Sequence, residues 1–366
     1  MSLTVRPGIE QIVGYVPGEA RSPANTRPLR LASNELPFGP SKAVKSAASA
    51  ICAVANRYPD GGAVLLREQI GRLHRLEVDR VLAGSGSEEL LQLVCRAFAK
   101  DGDEVLSSQY GFMMYPIIAR SVGATPTFAE ERDFHVDVRA MLAAVTPATR
   151  VVFLTNPANP AGTYVPRSDL ELLIRELPSD VVLVIDEAYA EFVDAPDFAS
   201  ALPYAREASN VVVTRTFSKI FGLGGLRVGW AYAPREVVEA VNKIRLPFNV
   251  SAVGQAAAIA AMHEPDHVQR TRAYIRQARE WTSERLLKLG LQVAPSVTSF
   301  ILVGFPTGCP GTAAEAVVDL RSSGILVRPL GAYGLHNHIR ITIGAHSDMR
   351  RVAARLASYL KRAARK

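Results

Sequence analysis

The chain has 366 residues, of which 48% are hydrophobic and 21% charged, and its formal net charge is +7. Those proportions suit a globular chain of about two domains with a sizeable core, and no apolar run approaches the roughly 20 residues that a membrane span needs. The positive balance excludes little by itself, but Lys and Arg are scattered and no basic run is interleaved with aromatics, which argues against nucleic acid and suits small anionic ligands.

The N-terminus, "MSLTVRPGIEQIVGYVPGEA", lacks the basic, apolar and cleavage pattern of a secretion signal. The first forty or so residues, rich in Pro and Gly, read as an extended arm that packs on a small domain or reaches a neighbouring subunit. From about residue 62 the pattern alternates: helix ("AVLLREQIGRLHRL"), strand ("RVLAG"), helix ("SEELLQLVCRAFAK"), strand ("DEVLSSQ"). Three later runs, "VVFLTN" at 151–156, "VVLVID" at 181–186 and "VVVTRTF" at 211–217, are short, β-branched and apolar, as in strands buried on both faces of a parallel sheet. Between the first two, "RSDLELLIREL" predicts a crossover helix with Ser168 as its cap. The reading is an α/β fold: a large domain with a mainly parallel sheet between helices, and a smaller α+β domain.

After residue 250 a long helical stretch is predicted over 252–290, then the strand "TSFILVGF", a helix near 312–323, the strands "GILVRPL" and "HIRITIG", and a last helix from Ser347. The expected division is 1–45 for the arm and part of the small domain, 46–250 for the large domain, and 251–366 for the small one. Cys52, Cys95 and Cys309 lie far apart and fit no metal or disulfide spacing, so they are expected as buried reduced thiols in a cytoplasmic protein. His336 and His338 lie two apart on a loop with no third ligand, and no metal site is expected.

Ligands of open α/β sheets bind beyond the carboxyl ends of the strands. The three apolar strands end in "NPANPAGT" (156–163), "DEAYAEF" (186–192) and "TFSKIFGLGGLR" (216–227), which converge Asn, Asp, Tyr, Ser, Lys and Arg. Pyridoxal phosphate calls for that set: a lysine amine for its aldehyde, a carboxylate at its pyridine nitrogen, donors for its ring hydroxyl, and an arginine, hydroxyls and a helix N-terminus for its phosphate. "AGSGSEELL" (83–91) adds a strand–turn–helix junction in which Ser85 and Glu88 are spaced as a capping box. A nucleotide-binding P-loop is excluded, because the glycines follow Lys219 instead of preceding it. Taken singly, Lys219 would pass for a surface lysine, Asp186 for a cap and Asn159 for a turn residue; together they fill the roles of one site.

The blocks "NPANPAGT", "DEAYAEF" and "TFSKIFGLGGLRVGW", in this order, resemble the class I and II aminotransferases of fold type I. Their large domain carries a mainly parallel seven-stranded sheet. Within that family, "YVPGE", "LASNELPFGPS", "YPDGG", "GSGSEELL" and "GILVRPLGAYGLHNHIRITIG" look most like the histidinol-phosphate aminotransferase branch. The resemblance implies pyridoxal phosphate as cofactor and Lys219 as its covalent anchor and proton carrier. Asp186 would sit at the ring nitrogen, Tyr189 and Asn159 at the ring hydroxyl, and Phe112 on the ring face. Ser87, Ser218 and Arg227, with Thr216 and the backbone around Gly86, Ser87 and Glu88, would hold the phosphate. Tyr58 would reach the partner subunit's cofactor in a homodimer. Arg340 would bind a substrate carboxylate, Tyr15 and Arg328 a distal phosphate, and Ser85 stands where the family often has an Asn that helps with the substrate. The amino donor and 2-oxoglutarate or glutamate would be the small-molecule partners, in histidine biosynthesis. Ser85, Phe112 and the "SNELPFGP" segment depart from the usual pattern. An aromatic amino-acid aminotransferase and a threonine-phosphate decarboxylase of the same fold are alternatives. A pyridoxal-phosphate-sensing regulator would need a DNA-binding domain for which the chain has no pattern.

Overall fold

The computed structural model describes residues 3–19 and 27–365. Its centre is a seven-stranded sheet built from β1 (Val81–Gly84), β2 (Glu104–Ser108), β3 (Thr125–Ala129), β4 (Thr149–Thr155), β5 (Val182–Asp186), β6 (Val211–Thr216) and β7 (Gly229–Tyr232), in the order β1-β7-β6-β5-β4-β2-β3. All neighbours pair in parallel except β7, which runs antiparallel to both β1 and β6. The apolar runs are nearly continuous because each strand feeds a core on either face. Leu183, Ile185, Val211 and Val213 pack toward the helices Val64–His74 and Ala252–Met262. Val182, Val184 and Val212 pack toward the helices Ser87–Phe98, Met114–Val122 and Arg235–Ile244.

A second sheet has five strands, in the order Leu29–Leu31, Ile325–Pro329, His338–Thr342, Phe300–Gly304 and Gln292–Val293. Only its Leu29–Leu31 pairing is parallel. Its core takes in the helices Pro265–Leu287, Ala313–Ser322 and His346–Ala363.

Three local expectations are corrected, the first being that Cys52, expected buried, is exposed at the end of the helix Lys42–Cys52. The helical stretch 252–290 is two helices, broken at His263 and Glu264, because Pro265 cannot donate to the preceding turn and opens a new helix instead. The first piece, Ala252–Met262, packs on Lys42–Cys52 and shares the core of the seven-stranded sheet. We therefore propose a domain division at 263–264, after that helix, where 250/251 was expected. Ser168 is not the cap of its helix. Pro166 is, and the Arg167 N–H is already satisfied by Asp197 O at 2.8 Å, so the cap and the helix start lie two residues earlier.

The arm touches both layers. Arg6 donates to Ser121 O at 2.6 Å beside the seven-stranded sheet, while Glu19 pairs with Arg321 at 2.9 Å and Val16 O accepts from Arg328 at 2.6 Å on the five-stranded side. Among the described residues, no helix is long and apolar enough to cross a membrane, and no His, Cys, Asp and Glu group has the arrangement of a metal site.

Candidate active site

Because β4, β5 and β6 are neighbours, their carboxyl ends deliver Thr155, Asp186 and Thr216 to one cleft. The five-stranded sheet closes it from the other side with Arg328 and Arg340. Of the residues singled out in the sequence, Tyr15, Ser87, Glu88, Phe112, Asn159, Asp186, Tyr189, Thr216, Ser218, Lys219, Arg227, Arg328 and Arg340 all line this cleft.

Lys219 follows β6 by three residues. Its ammonium lies 5.6 Å from the centre of the Tyr189 ring and donates to Ser33 O at 3.4 Å. Burial, seconded by the Arg340 charge, lowers its pKa to about 8, so a sizeable uncharged fraction is present near neutral pH. Asp186 is 5% exposed, and burial lifts its pKa to about 6 against the Thr214 hydroxyl, the Ala188 N–H and the Lys219 charge. A buried carboxyl with so little cationic compensation can pair with a protonated nitrogen.

One end of the cleft is an anion cradle. The helix Ser87–Phe98 points its N-terminus there, and Ser87 and Glu88 supply the unpaired amides of its first turn. Arg227, in the left-handed region at φ 54°, donates to Ser218 Oγ at 3.2 Å and Gly224 O at 3.3 Å. Two glycines leave room. A Cβ on Gly86 (φ 85°) would lie 2.4 Å from an Arg227 nitrogen, and one on Gly229 would lie 2.2 Å from Ser87 N. The capping box expected of Ser85 and Glu88 is corrected here. Gly86 is the N-cap, which moves the third helical position to Glu89, and its carboxylate accepts the Ser85 N–H at 2.6 Å. Ser85 itself does not line the cleft.

The other end holds two guanidinium groups. Arg340, 5% exposed, donates through Nη1 to Asn159 Oδ1 at 2.5 Å and through Nη2 to Ala32 O at 2.9 Å, while its buried Nε has no acceptor. A buried, partly unsatisfied cation facing a cleft can take an anion. Arg328 lies over the Tyr15 ring, 5.1 Å from its centre.

Several residues of the site escaped the sequence reading. Asn34 donates to the Tyr189 hydroxyl at 2.8 Å, Thr214 donates to Asp186, and Tyr115 and Thr155 share a 2.5 Å hydrogen bond. Tyr333 lines the cleft between Arg340 and Arg328. Behind Asp186, the buried Arg215 binds Glu187 at 2.6 Å and Glu191 at 3.2 Å, bracing the turn that carries Tyr189. The signal for Asn34 was its place in "LASNELPFGPS"; Arg215 had only its place inside an apolar strand. Tyr58 lies outside the cleft, 82% exposed and stacked on Phe248 at 4.7 Å.

Residues 26–356 match the model of the family described as aminotransferase class I and II. A histidinol-phosphate aminotransferase of Rhodospirillum centenum is 49% identical over 97% of this chain and 98% of its own. One of Paramagnetospirillum magneticum is 45% identical over 97% and 98%. Among solved structures, histidinol-phosphate aminotransferase from Sinorhizobium meliloti, in complex with pyridoxal-5'-phosphate, superposes with a TM-score of 0.91 at 28% identity, covering 98% of this chain and 97% of that one.

Proposed function

The chain belongs to the class I and II aminotransferase family, and we propose that it is the aminotransferase that moves an amino group between histidinol phosphate and 2-oxoglutarate. One observation carries the reading. Lys219, with its lowered pKa, and the buried Asp186 face one cleft whose two ends are separate anion sites. The fold is that of the fold type I enzymes, and the cofactor is pyridoxal phosphate.

The residues fit that group. The cradle of Ser87, Ser218, Thr216, Arg227 and the helix amides suits its phosphate, and the space left by Gly86 keeps Arg227 close to those amides. Asp186 suits the ring nitrogen, Tyr189 and the Asn159 amide the ring hydroxyl, and Phe112 the ring face. When bound, the cofactor supplies an aldehyde for the lysine and a ring that withdraws electrons from the substrate's α-carbon. The protein does the rest. Asp186, ionised, holds a proton on the ring nitrogen. Lys219 Nζ, uncharged in part near neutral pH, would take the proton from the substrate's α-carbon and return it on the far side of the amino nitrogen, a 1,3 shift by one base. Arg340 and Arg328 orient the substrate, and two guanidinium groups serve both a substrate with one phosphate and glutamate with two carboxylates.

Tyr58 supports a homodimer. It is an exposed aromatic stacked on Phe248, with Leu65 and Leu246 also exposed in the same chain segments. In that assembly Tyr58 reaches the partner subunit's cofactor phosphate. The biosynthetic reaction proposed for the chain supports a cytoplasmic location.

The test is the visible absorbance of the protein with pyridoxal phosphate, followed on adding histidinol phosphate, phenylalanine or glutamate. Bleaching by histidinol phosphate and glutamate is expected. Bleaching by phenylalanine but not by histidinol phosphate replaces the substrate.

A further inference from the structure

Three consecutive arm residues each reach a different member of the site. Ala32 O accepts from Arg340, Ser33 O accepts from Lys219, and the Asn34 side chain donates to Tyr189. Asn34 is the unusual one. It is 3% exposed and sits at φ 57°, a left-handed conformation that Asn tolerates better than other side chains but still at a cost.

Its amide orientation follows from its neighbours. Thr342 Oγ1 accepts the Asn34 backbone N–H at 3.0 Å, which leaves the threonine proton to donate to Asn34 Oδ1 at 3.2 Å. The Asn34 NH₂ group therefore faces Tyr189, and its N–H occupies a lone pair of the tyrosine oxygen. Tyr189 is 3% exposed and lines the cleft, so its own proton points inward.

We infer that Asn34 is a positioning residue that sets the polarity of Tyr189: the chain Thr342 to Asn34 to Tyr189 obliges the tyrosine to donate its hydrogen bond into the cleft. This rests on the reading of the cleft as a pyridoxal-phosphate site, where the acceptor is the ring oxygen. A donor held on that oxygen favours its anionic form and lowers the pH at which the bound cofactor loses its proton. The charged groups facing Tyr189 are Arg340, Asp186 and Lys219. Asn34, being neutral, works by direction and adds no charge.

The experiment is a pH titration of the visible band of the cofactor-loaded protein, with thermal unfolding as a control for folding. Asn34→Asp keeps the size but offers an acceptor, so Tyr189 turns its proton outward; the spectral midpoint is expected to rise by about one pH unit. Asn34→Gly accepts the left-handed backbone without strain and deletes the donor; a smaller rise is expected. In a Tyr189→Phe background Asn34→Gly is expected to leave the midpoint unmoved, and Asn34→Asp to raise it less than with the hydroxyl present, through its charge alone. An unmoved midpoint in Asn34→Asp, or the same rise with and without the tyrosine hydroxyl, overturns the polarity assignment while leaving the cofactor reading intact. A wild-type protein that develops no visible band with pyridoxal phosphate overturns both.

Discussion

Thr214 and Asp186 stand opposite each other on neighbouring parallel strands, and the threonine hydroxyl donates to the carboxylate at 3.1 Å. That bond only partly offsets burial, which leaves the folded pKa of Asp186 at about 6, above the ordinary 3.8. The folded chain without cofactor therefore binds this proton more readily than the unfolded chain. The cost of the carboxylate is absent below pH 3.8, grows between 3.8 and 6, and is full above 6. The displacement corresponds to about 3 kcal/mol. Asp186→Asn is expected to stabilise the cofactor-free protein by up to that amount at pH 7 to 8 and by nothing below pH 4, and to weaken cofactor binding. Denaturant unfolding across pH reads the first effect; equal stability of the two proteins at pH 7.5 counts against it.

Lys219 shows the opposite sense. Burial lowers its pKa to about 8, so its uncharged fraction rises as pH approaches that value from below. Covalent capture of pyridoxal phosphate by the cofactor-free protein should quicken about tenfold per pH unit below 8 and level off above it. Stopped-flow absorbance measures this. Lys219→Ala is expected to lose the visible band and to lower turnover by about 10⁴-fold or more.

At Gly86 the backbone is left-handed, and a Cβ would meet the end of the Arg227 side chain at 2.4 Å. Arg227 can swing away, so Gly86→Ala should fold, at a cost of about 1–2 kcal/mol for the conformation. Displacing the guanidinium should weaken cofactor affinity by about tenfold or more, since charge-assisted hydrogen bonds are worth roughly 1.5–3 kcal/mol. Equilibrium dialysis and thermal unfolding separate the two effects.

The two cleft arginines should differ. Arg340→Ala leaves Asn159 Oδ1 and Ala32 O without their donor as well as removing an anion site, so it should impair histidinol phosphate and glutamate alike, by about 10²-fold or more in kcat/KM. Arg328 is held by one backbone carbonyl and an aromatic face. Arg328→Ala should act mainly through KM and hardly affect phenylalanine. Steady-state kinetics with the three amino donors decides this.

Tyr58→Ala removes an exposed side chain that touches Phe248 but not the cleft of its own chain. In the proposed dimer it should lower cofactor affinity while the protein stays dimeric by light scattering. A monomeric wild type contradicts the assembly.

The parts of the site that the sequence disclosed are those written locally. A strand buried on both faces is a run such as "VVLVI", and the polar residue that ends it, Asp186, stands where a parallel sheet opens to solvent. Lys219, Asp186 and Asn159 were legible on that ground. Asn34 was not, because its partners Tyr189 and Thr342 are 155 and 308 residues away. The start of the helix Ser87–Phe98 was misread by one position because Gly86 turns with a positive φ that spacing alone does not register. Pro265 marks a break, but the helical spacing continues on both sides of it and reads as one helix.

The pairing of Asn34 with Thr342 spans 308 residues of sequence. During synthesis, the strands that lead into Asp186 and Lys219 can assemble long before residue 342 leaves the ribosome, whereas the closing threonine arrives later. A nascent or truncated chain ending before it would present a reactive lysine on a formed sheet with no partner to fix Asn34. Emergence of residue 342 thus acts as a late step in maturing the site, and fragments that end before Thr342 should bind the cofactor loosely if they bind it at all.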